Sequence, residues 1–296
     1  MRFSLQGGHH PPLLRKISNA YIPAMKAVAP KIRIGAVNYL NTKPLVFGLR
    51  EQAAQAELFF DLPSRLADGL AARRYDVAMI PSIEFFQDPG YTIVSDACIA
   101  CRGPVLSVKL FSRVRPERIR TLALDEGSRT SATLVRILLR ERYGLAPELT
   151  PLPIGDSLAQ AATDAVLLIG DRAIHSPAER FESVWDLGDE WQRFTGLPFV
   201  FAMWTARANC DLQGVGEALA AARDLGVANL AEIAEQEAAP LGLTRPECLS
   251  YLRDNLHFYL GEREMQGLAM FYRLAVTLGL APEGIDLGTR VDQPVG

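Results

Sequence analysis

The chain has 296 residues, of which 49% are hydrophobic and 22% charged, an ordinary balance for about two globular domains that excludes wholesale disorder, collagen-like repetition and coiled coil. Thirty-one Lys and Arg against 34 Asp and Glu leave a net charge of −3, so no overall electrostatic pull toward nucleic acid or an anionic membrane is expected. No apolar run approaches the roughly 18 residues of a spanning helix. The four cysteines are too few for a secreted disulfide framework, which points to a reducing cytoplasm.

In chain order, residues 1–30 carry Arg2, Arg15, Lys16 and Lys26 with no acid and no continuous apolar stretch. They read as a flexible tail, or as an upstream start with Met25 the true beginning, rather than as an export signal. Lys31–Val37 alternates like a strand, Glu57–Phe60 and Asp76–Ile80 are short apolar bursts, and Pro44–Arg50 and Ser64–Arg73 between them read as helices. This β-α-β-α-β rhythm predicts an α/β fold with a parallel sheet and ligands at the carboxyl ends of its strands.

A second set follows, with strands Thr121–Leu124, Glu148–Leu152 and Ala165–Ile169 and a helix Ser131–Tyr143 ended by Gly144. Two strand-like segments, Val105–Ser112 and Phe199–Thr205, bracket that set and read as the hinge of a chain that leaves one lobe, builds another and returns. Residues 31–112 and 205–296 then form the first lobe and 113–204 the second. After Thr205 the spacing is helical over Val215–Arg223, Leu230–Glu237, Glu247–Tyr259 and Glu264–Leu278. Trp185, Trp191, Phe194, Phe199, Phe201 and Trp204 read as packing and hinge rather than a cofactor cage.

The chemistry is expected in the loops after the strands. After the first strand, Pro44 is suited to the first position of a helix. Asn41 and Thr42 then stand at its mouth, as an ordinary cap or as donors to a carboxylate or phosphate. After the third strand come Ser82 and Glu84; Ser82 lacks a G-x-S-x-G elbow and a neighbouring His, so it suits hydrogen bonding to an oxyanion better than nucleophilic attack. The strongest local signal is Asp125-Glu126-Gly127-Ser128-Arg129-Thr130-Ser131 at a strand-to-helix turn. There Gly127 permits close backbone approach, the hydroxyls of Ser128, Thr130 and Ser131 and the free N–H groups of the first turn can donate, and Arg129 can pair with a carboxylate. It is not a P-loop, since the Gly-Lys-Ser/Thr ending is absent. Asp171, after Gly170, can serve as base, orienting group or cap. Cys98-x-x-Cys101 sits in a strand-like stretch without partner ligands, and His175 and His257 are isolated, so no metal is implied.

Five of these segments in this order, Tyr39-Leu40-Asn41-Thr42-Lys43-Pro44-Leu45, Ile80-Pro81-Ser82-Ile83-Glu84, Asp125 to Ser131, Ile169-Gly170-Asp171 and Thr195-Gly196-Leu197-Pro198-Phe199-Val200-Phe201-Ala202, resemble the chorismate dehydratase family of the futalosine route to menaquinone. The resemblance covers about residues 31 to 280. It implies a two-lobed type II periplasmic-binding-protein fold with a central cleft and a helical C-terminal region. The implied reaction converts chorismate to 3-[(1-carboxyvinyl)oxy]benzoate and water, without a cofactor. The family's important Asn and Ser match Asn41 and Ser82, which would orient substrate and stabilise developing charge; the Ser128–Ser131 mouth would grip one carboxylate. Either Glu84 or Asp171 removes the ring proton, or the substrate's own enolpyruvyl carboxylate does so, the version preferred here.

The alternatives are 1,4-dihydroxy-6-naphthoate synthase of the same pathway, for which an active-site His is expected, and a carboxylate-binding receptor without chemistry. The sensing half of a transcription regulator would need more than thirty residues before Lys31 for its DNA-binding domain.

Overall fold

Short apolar runs separated by amphipathic helices build two sheets. The computed structural model describes residues 1–2, 31–156, 158–175, 177–208 and 210–290; the tail expected over residues 1–30 lies almost wholly outside them. The strands are β1 (Ile32–Val37), β2 (Ala56–Asp61), β3 (Val77–Pro81), β4 (Tyr91–Cys101), β5 (Val108–Ser112), β6 (Thr121–Asp125), β7 (Glu148–Leu152), β8 (Ala165–Ile169), β9 (Ser183–Asp186), β10 (Phe199–Arg207) and β11 (His257–Tyr259). The first sheet runs β11-β4-β10-β3-β1-β2 and the second β7-β6-β8-β5-β9.

Apart from the added edge strand β11, the two sheets share one plan. In each, three parallel strands have the earliest in the middle, β2-β1-β3 and β7-β6-β8. An antiparallel strand follows, β10 or β5, and then one more, β4 or β9. The antiparallel strand comes in each case directly from the other sheet in sequence: β5 follows β4 and β10 follows β9. The chain leaves the first sheet after β4 and returns to it in β10, and both crossings differ from the expected lobe bounds: Phe199–Trp204, expected in the second lobe, lies in the first sheet. Val108–Ser112 belongs to the second sheet, because the chain changes direction just before it, where Gly103 has φ 140° and Leu106 φ 65°. Asp186 holds that turn by accepting from the Val105 and Leu106 amides at 2.9 and 2.6 Å, and it also caps the helix Leu187–Thr195 through Gly188 and Asp189.

β3 and β8 are buried along their whole lengths, as expected for parallel strands covered on both faces. Helix Val215–Ala228 backs the first sheet, approaching so closely that a Cβ on Gly226 would stand 2.0 Å from the Pro44 carbonyl oxygen. The predicted helix Glu247–Tyr259 is corrected. An α-helix spans only Arg245–Ser250, started by a Thr244/Glu247 capping box, then widens to a π-helix over Tyr251–Asn255, and the chain finishes as β11 on the edge of β4. Cys98 and Cys101 lie inside β4, and all four thiols are free. Burial pushes the Cys101 thiol up to about 12 and Cys98 higher still, which withholds the reactive thiolate. Among the described residues no helix is long and apolar enough to cross a membrane, and no group of three or more His, Cys, Asp or Glu side chains is placed to hold a metal.

Candidate active site

The carboxyl ends of β1, β3, β6 and β8 converge on one cleft between the two sheets, where fixed dipoles and loop donors collect in such folds. Its apolar wall includes Val37, Ile99, Val105, Val108, Ile169 and Phe201; its polar lining is Tyr39, Asn41, Ser107, Ser128, Arg129, Thr130 and Ser131. Among the described residues lining it there is no carboxylate, imidazole, amine or thiol.

The loop after β6 is shaped by Asp125, a buried acid absent from the expected site. Its carboxylate accepts from Gly127 N at 3.0 Å and Ile169 N at 3.3 Å and pairs with Arg172. This folds Gly127 and Ser128 back toward the cleft at the start of helix Arg129–Tyr143. Ser128 is the N-cap residue yet makes no side-chain capping bond, and its hydroxyl is buried without a partner. The first-turn amides of Arg129, Thr130 and Ser131 have no intrahelical acceptor, and the positive end of the helix dipole adds to them. A buried, unsatisfied hydroxyl is costly, so its presence beside free amides at the cleft fits an anionic ligand.

Other expected residues take different places. Pro44 is not the first residue of a helix: Leu40–Val46 is a 3₁₀ turn with Pro44 inside it, capped by Tyr39, and Asn41 and Thr42 ride within that turn. Asn41 lines the cleft, whereas Thr42 is fully buried behind it and donates to Asn41 Oδ1 at 3.2 Å. Ser82 does not line the cleft either. It is fully buried, donates to the Val200 carbonyl of β10 at 2.8 Å, and lies 3.4 Å from Thr130 Oγ1, so it reaches the cleft through Thr130. Arg129 is already engaged: its Nη2 donates to both Asp68 carboxylate oxygens, at 2.9 and 3.0 Å, and its Nη1 is 3.3 Å from Glu84. Its guanidinium therefore joins the two lobes instead of standing free for a substrate carboxylate.

Glu84 and Asp171, the two candidate bases, both lie outside the cleft lining. Burial raises the Glu84 carboxyl above its usual range despite the opposing Arg129. Burial likewise raises Asp171, whose Oδ1 accepts from Leu40 N at 3.1 Å and so ties the loop after β8 to the turn bearing Asn41. Tyr39 faces the cleft with its phenol pushed up to about 12, chiefly by burial and then by Asp125. It is a donor at neutral pH and not a base.

Gly170 lies against the Tyr39 ring. Its φ of 69° with ψ −158° is a conformation nearly exclusive to glycine, and a Cβ there would meet the Tyr39 ring at 2.9 Å. Gly170→Ala should lower stability by about 2 kcal/mol and activity about tenfold as Tyr39 is displaced. Thermal melts with steady-state kinetics check this; a variant matching the parent in both would show that the contact is dispensable.

Two sheets of this plan around a single ligand cleft define a periplasmic-binding-protein fold. Solved structures agree: protein AF1704 from Archaeoglobus fulgidus has TM-score 0.65 at 17% identity over 85% of this chain and 99% of that one. The aliphatic sulphonate binding protein SsuA from Escherichia coli has TM-score 0.61 at 16% identity over 90% and 93%. Residues 32–277 match the model of the menaquinone biosynthesis family, and the chain belongs to that family. It is similar to a chorismate dehydratase of Thermus thermophilus, 32% identical over 83% of this chain and 95% of the relative. A chorismate dehydratase of Campylobacter jejuni is 28% identical over 58% and 66%.

Proposed function

We propose that the protein is a chorismate dehydratase whose substrate supplies its own base. The observation that carries the mechanism is a cleft lined by hydrogen-bond donors and apolar side chains, with no carboxylate or imidazole among its described lining residues. Chorismate brings two carboxylates, a cyclohexadiene ring and a poorly acidic ring C–H. Ser128 Oγ, Thr130, Ser131 and the first-turn amides hold one carboxylate, and Val37, Ile99 and Phe201 offer an apolar wall to the ring.

Removing the ring proton beside the enolpyruvyl ether sends its electron pair through the diene toward the ring carboxylate. Donors aimed at that charge lower the barrier more than they stabilise the ground state, and Asn41 is placed to be one. The enolpyruvyl carboxylate, tethered to the same carbon, accepts the proton at high effective concentration. The electron pair then returns, the neighbouring C–O bond breaks, and the proton passes to the departing hydroxide as water. Aromatisation supplies the driving force, and Tyr39 can donate to an oxygen in the cleft without losing its proton.

Incubating purified protein with chorismate should convert it to a product lighter by one water with aromatic proton resonances. Chorismate retained unchanged would favour a receptor instead. The absence of an imidazole among the described cleft residues weighs against the naphthoate synthase alternative. The four free thiols support a reducing cytoplasm.

The two acids give a sharper test. Asp171→Asn keeps an oxygen acceptor for Leu40 N–H, so turnover should stay within about fivefold, whereas a base cannot be replaced by an amide without a loss of about 10² or more. The stability sign follows from the raised carboxyl. The native state holds the proton more tightly than the unfolded chain, so wild-type stability falls as pH rises through the native value. The amide variant should therefore be at least as stable at neutral pH, with the difference vanishing below the unfolded-state value. Turnover abolished in Asp171→Asn with chorismate still bound would assign the base to Asp171.

A further inference from the structure

Tyr251 is buried to 1% exposure in the π-helix that interrupts the expected helix, and nothing in the sequence singles it out. Such π turns are rare and recur at functional sites. This one is bonded to the crossing between β4 and β5, the stretch that carries Ser107 into the cleft lining. Asp186 already holds the backbone of that crossing, and two further bonds do the same. Asn255, four residues after Tyr251, donates from Nδ2 to the Pro104 carbonyl at 2.9 Å, and Gly170 N–H donates to the Ser107 carbonyl, also at 2.9 Å. The Tyr251 hydroxyl does something different: it donates to Ser107 Oγ at 2.9 Å, in a contact buried on both sides.

A serine hydroxyl has one proton to give and lone pairs that accept. Because Tyr251 supplies the proton in their bond, Ser107 keeps its own. Among the described residues that proton meets only the Val105 carbonyl, at 3.4 Å, the long limit of a hydrogen bond. We infer that Tyr251 is a positioning residue, holding Ser107 Oγ in the rotamer from which the Ser107 proton is given to an oxygen of the substrate. The inference rests on the dehydratase reading of the same cleft and assigns the orientation of one of its donors. A hydroxyl oxygen that accepts a hydrogen bond becomes a stronger donor, so the phenol strengthens Ser107 as well as aiming it. Burial pushes the phenol up, so it stays a donor at neutral pH. Without that phenol, Ser107 would turn toward Val105 and its proton would be taken by the backbone.

The test uses Tyr251→Phe, Ser107→Ala and the double variant in the full chain. Tyr251→Phe keeps the ring and leaves the backbone bonds of the crossing in place. It should lower kcat for chorismate about tenfold with KM changed less than about threefold, the split expected when a donor to developing charge is misaimed. Ser107→Ala should lower kcat at least as much. In the Ser107→Ala background, Tyr251→Phe should cost no further activity, whereas a loss due only to weakened packing would persist. A second readout does not depend on turnover. In crystals of the unliganded parent, Ser107 Oγ should occupy one rotamer against the phenol; in Tyr251→Phe it should turn to about 2.8 Å from the Val105 carbonyl oxygen.

If the parent fails to convert chorismate, the dehydratase reading falls while the Ser107 rotamer in the two crystals still decides the positioning. If the parent converts chorismate but Tyr251→Phe keeps its kcat, or loses as much again in the Ser107→Ala background, the inference is wrong. Should Tyr251→Phe fail to fold, an unchanged kcat in Ser107→Ala overturns it equally, because Tyr251 would then have no donor to position.

Discussion

Asn41→Ala should reduce kcat/KM for chorismate by about 10²–10³, the usual cost of deleting one donor aimed at developing negative charge. The loss should fall mainly on kcat, because Ser128, Thr130, Ser131 and the first-turn amides of helix Arg129–Tyr143 remain to hold the substrate. Stability should fall by only about 1 kcal/mol, since the variant removes the hydrogen bond donated by Thr42 at a half-buried position. Steady-state kinetics with equilibrium binding of chorismate measure both quantities. A variant within tenfold of the parent would remove Asn41 from the chemistry and turn attention to Tyr39, the other cleft donor on the same turn. Weakened binding with kcat intact would make Asn41 a holder of the ground state, leaving charge stabilisation to the helix mouth.

Ser82 illustrates how a residue's place at a strand end can be legible in the sequence while its contact is not. Its position after β3, at the carboxyl end of a parallel strand, is visible in the sequence because the apolar run Val77–Ile80 ends there. Its partner is not visible: the hydroxyl turns to Val200 in β10, more than a hundred residues away, because β10 runs antiparallel beside β3. Arg129 follows the same logic. Its proximity to a helix start is local information, but Asp68 and Glu84 come from the other lobe and claim the guanidinium. Asp125 lies inside the strongest local segment, but nothing in a one-dimensional pattern shows that its oxygens meet Gly127, Ile169 and Arg172.

The misread helix has a different cause. Tyr251, Leu252 and Leu256 satisfy helical spacing, while Leu256 and Phe258 satisfy the alternation of a strand. Local periodicity therefore supports both readings over the same few residues. The choice is made by tertiary structure: β4 offers an open edge, and pairing His257–Tyr259 to it satisfies backbone groups there. The α/β plan, by contrast, repeats along the chain and needs no distant partner to be seen, which is why both parallel triplets are evident from spacing alone.

Gly226→Ala should be among the most damaging single substitutions outside the cleft. In an exposed helix the same change would stabilise by about 1 kcal/mol. Here the new Cβ would lie 2.0 Å from the Pro44 carbonyl oxygen and 2.7 Å from its Cα, so backbone and not a flexible side-chain tip must yield. Overpacking of this kind costs about 3 kcal/mol, which should lower the melting temperature by several degrees. The displaced segment is the 3₁₀ turn Leu40–Val46, and it carries Asn41 three residues before Pro44. A shift of about 1 Å there can cost about 10² in rate, so turnover should fall well below the folded fraction. Gly216→Ala separates the two effects: its Cβ would stand 2.3 Å from the Val94 carbonyl oxygen on β4, equally intolerable to packing but directed away from that turn. At a temperature where both variants remain folded, Gly216→Ala should retain most of its turnover while Gly226→Ala does not. Equal activity in the two would mean that helix Val215–Ala228 supports the fold without setting the position of Asn41.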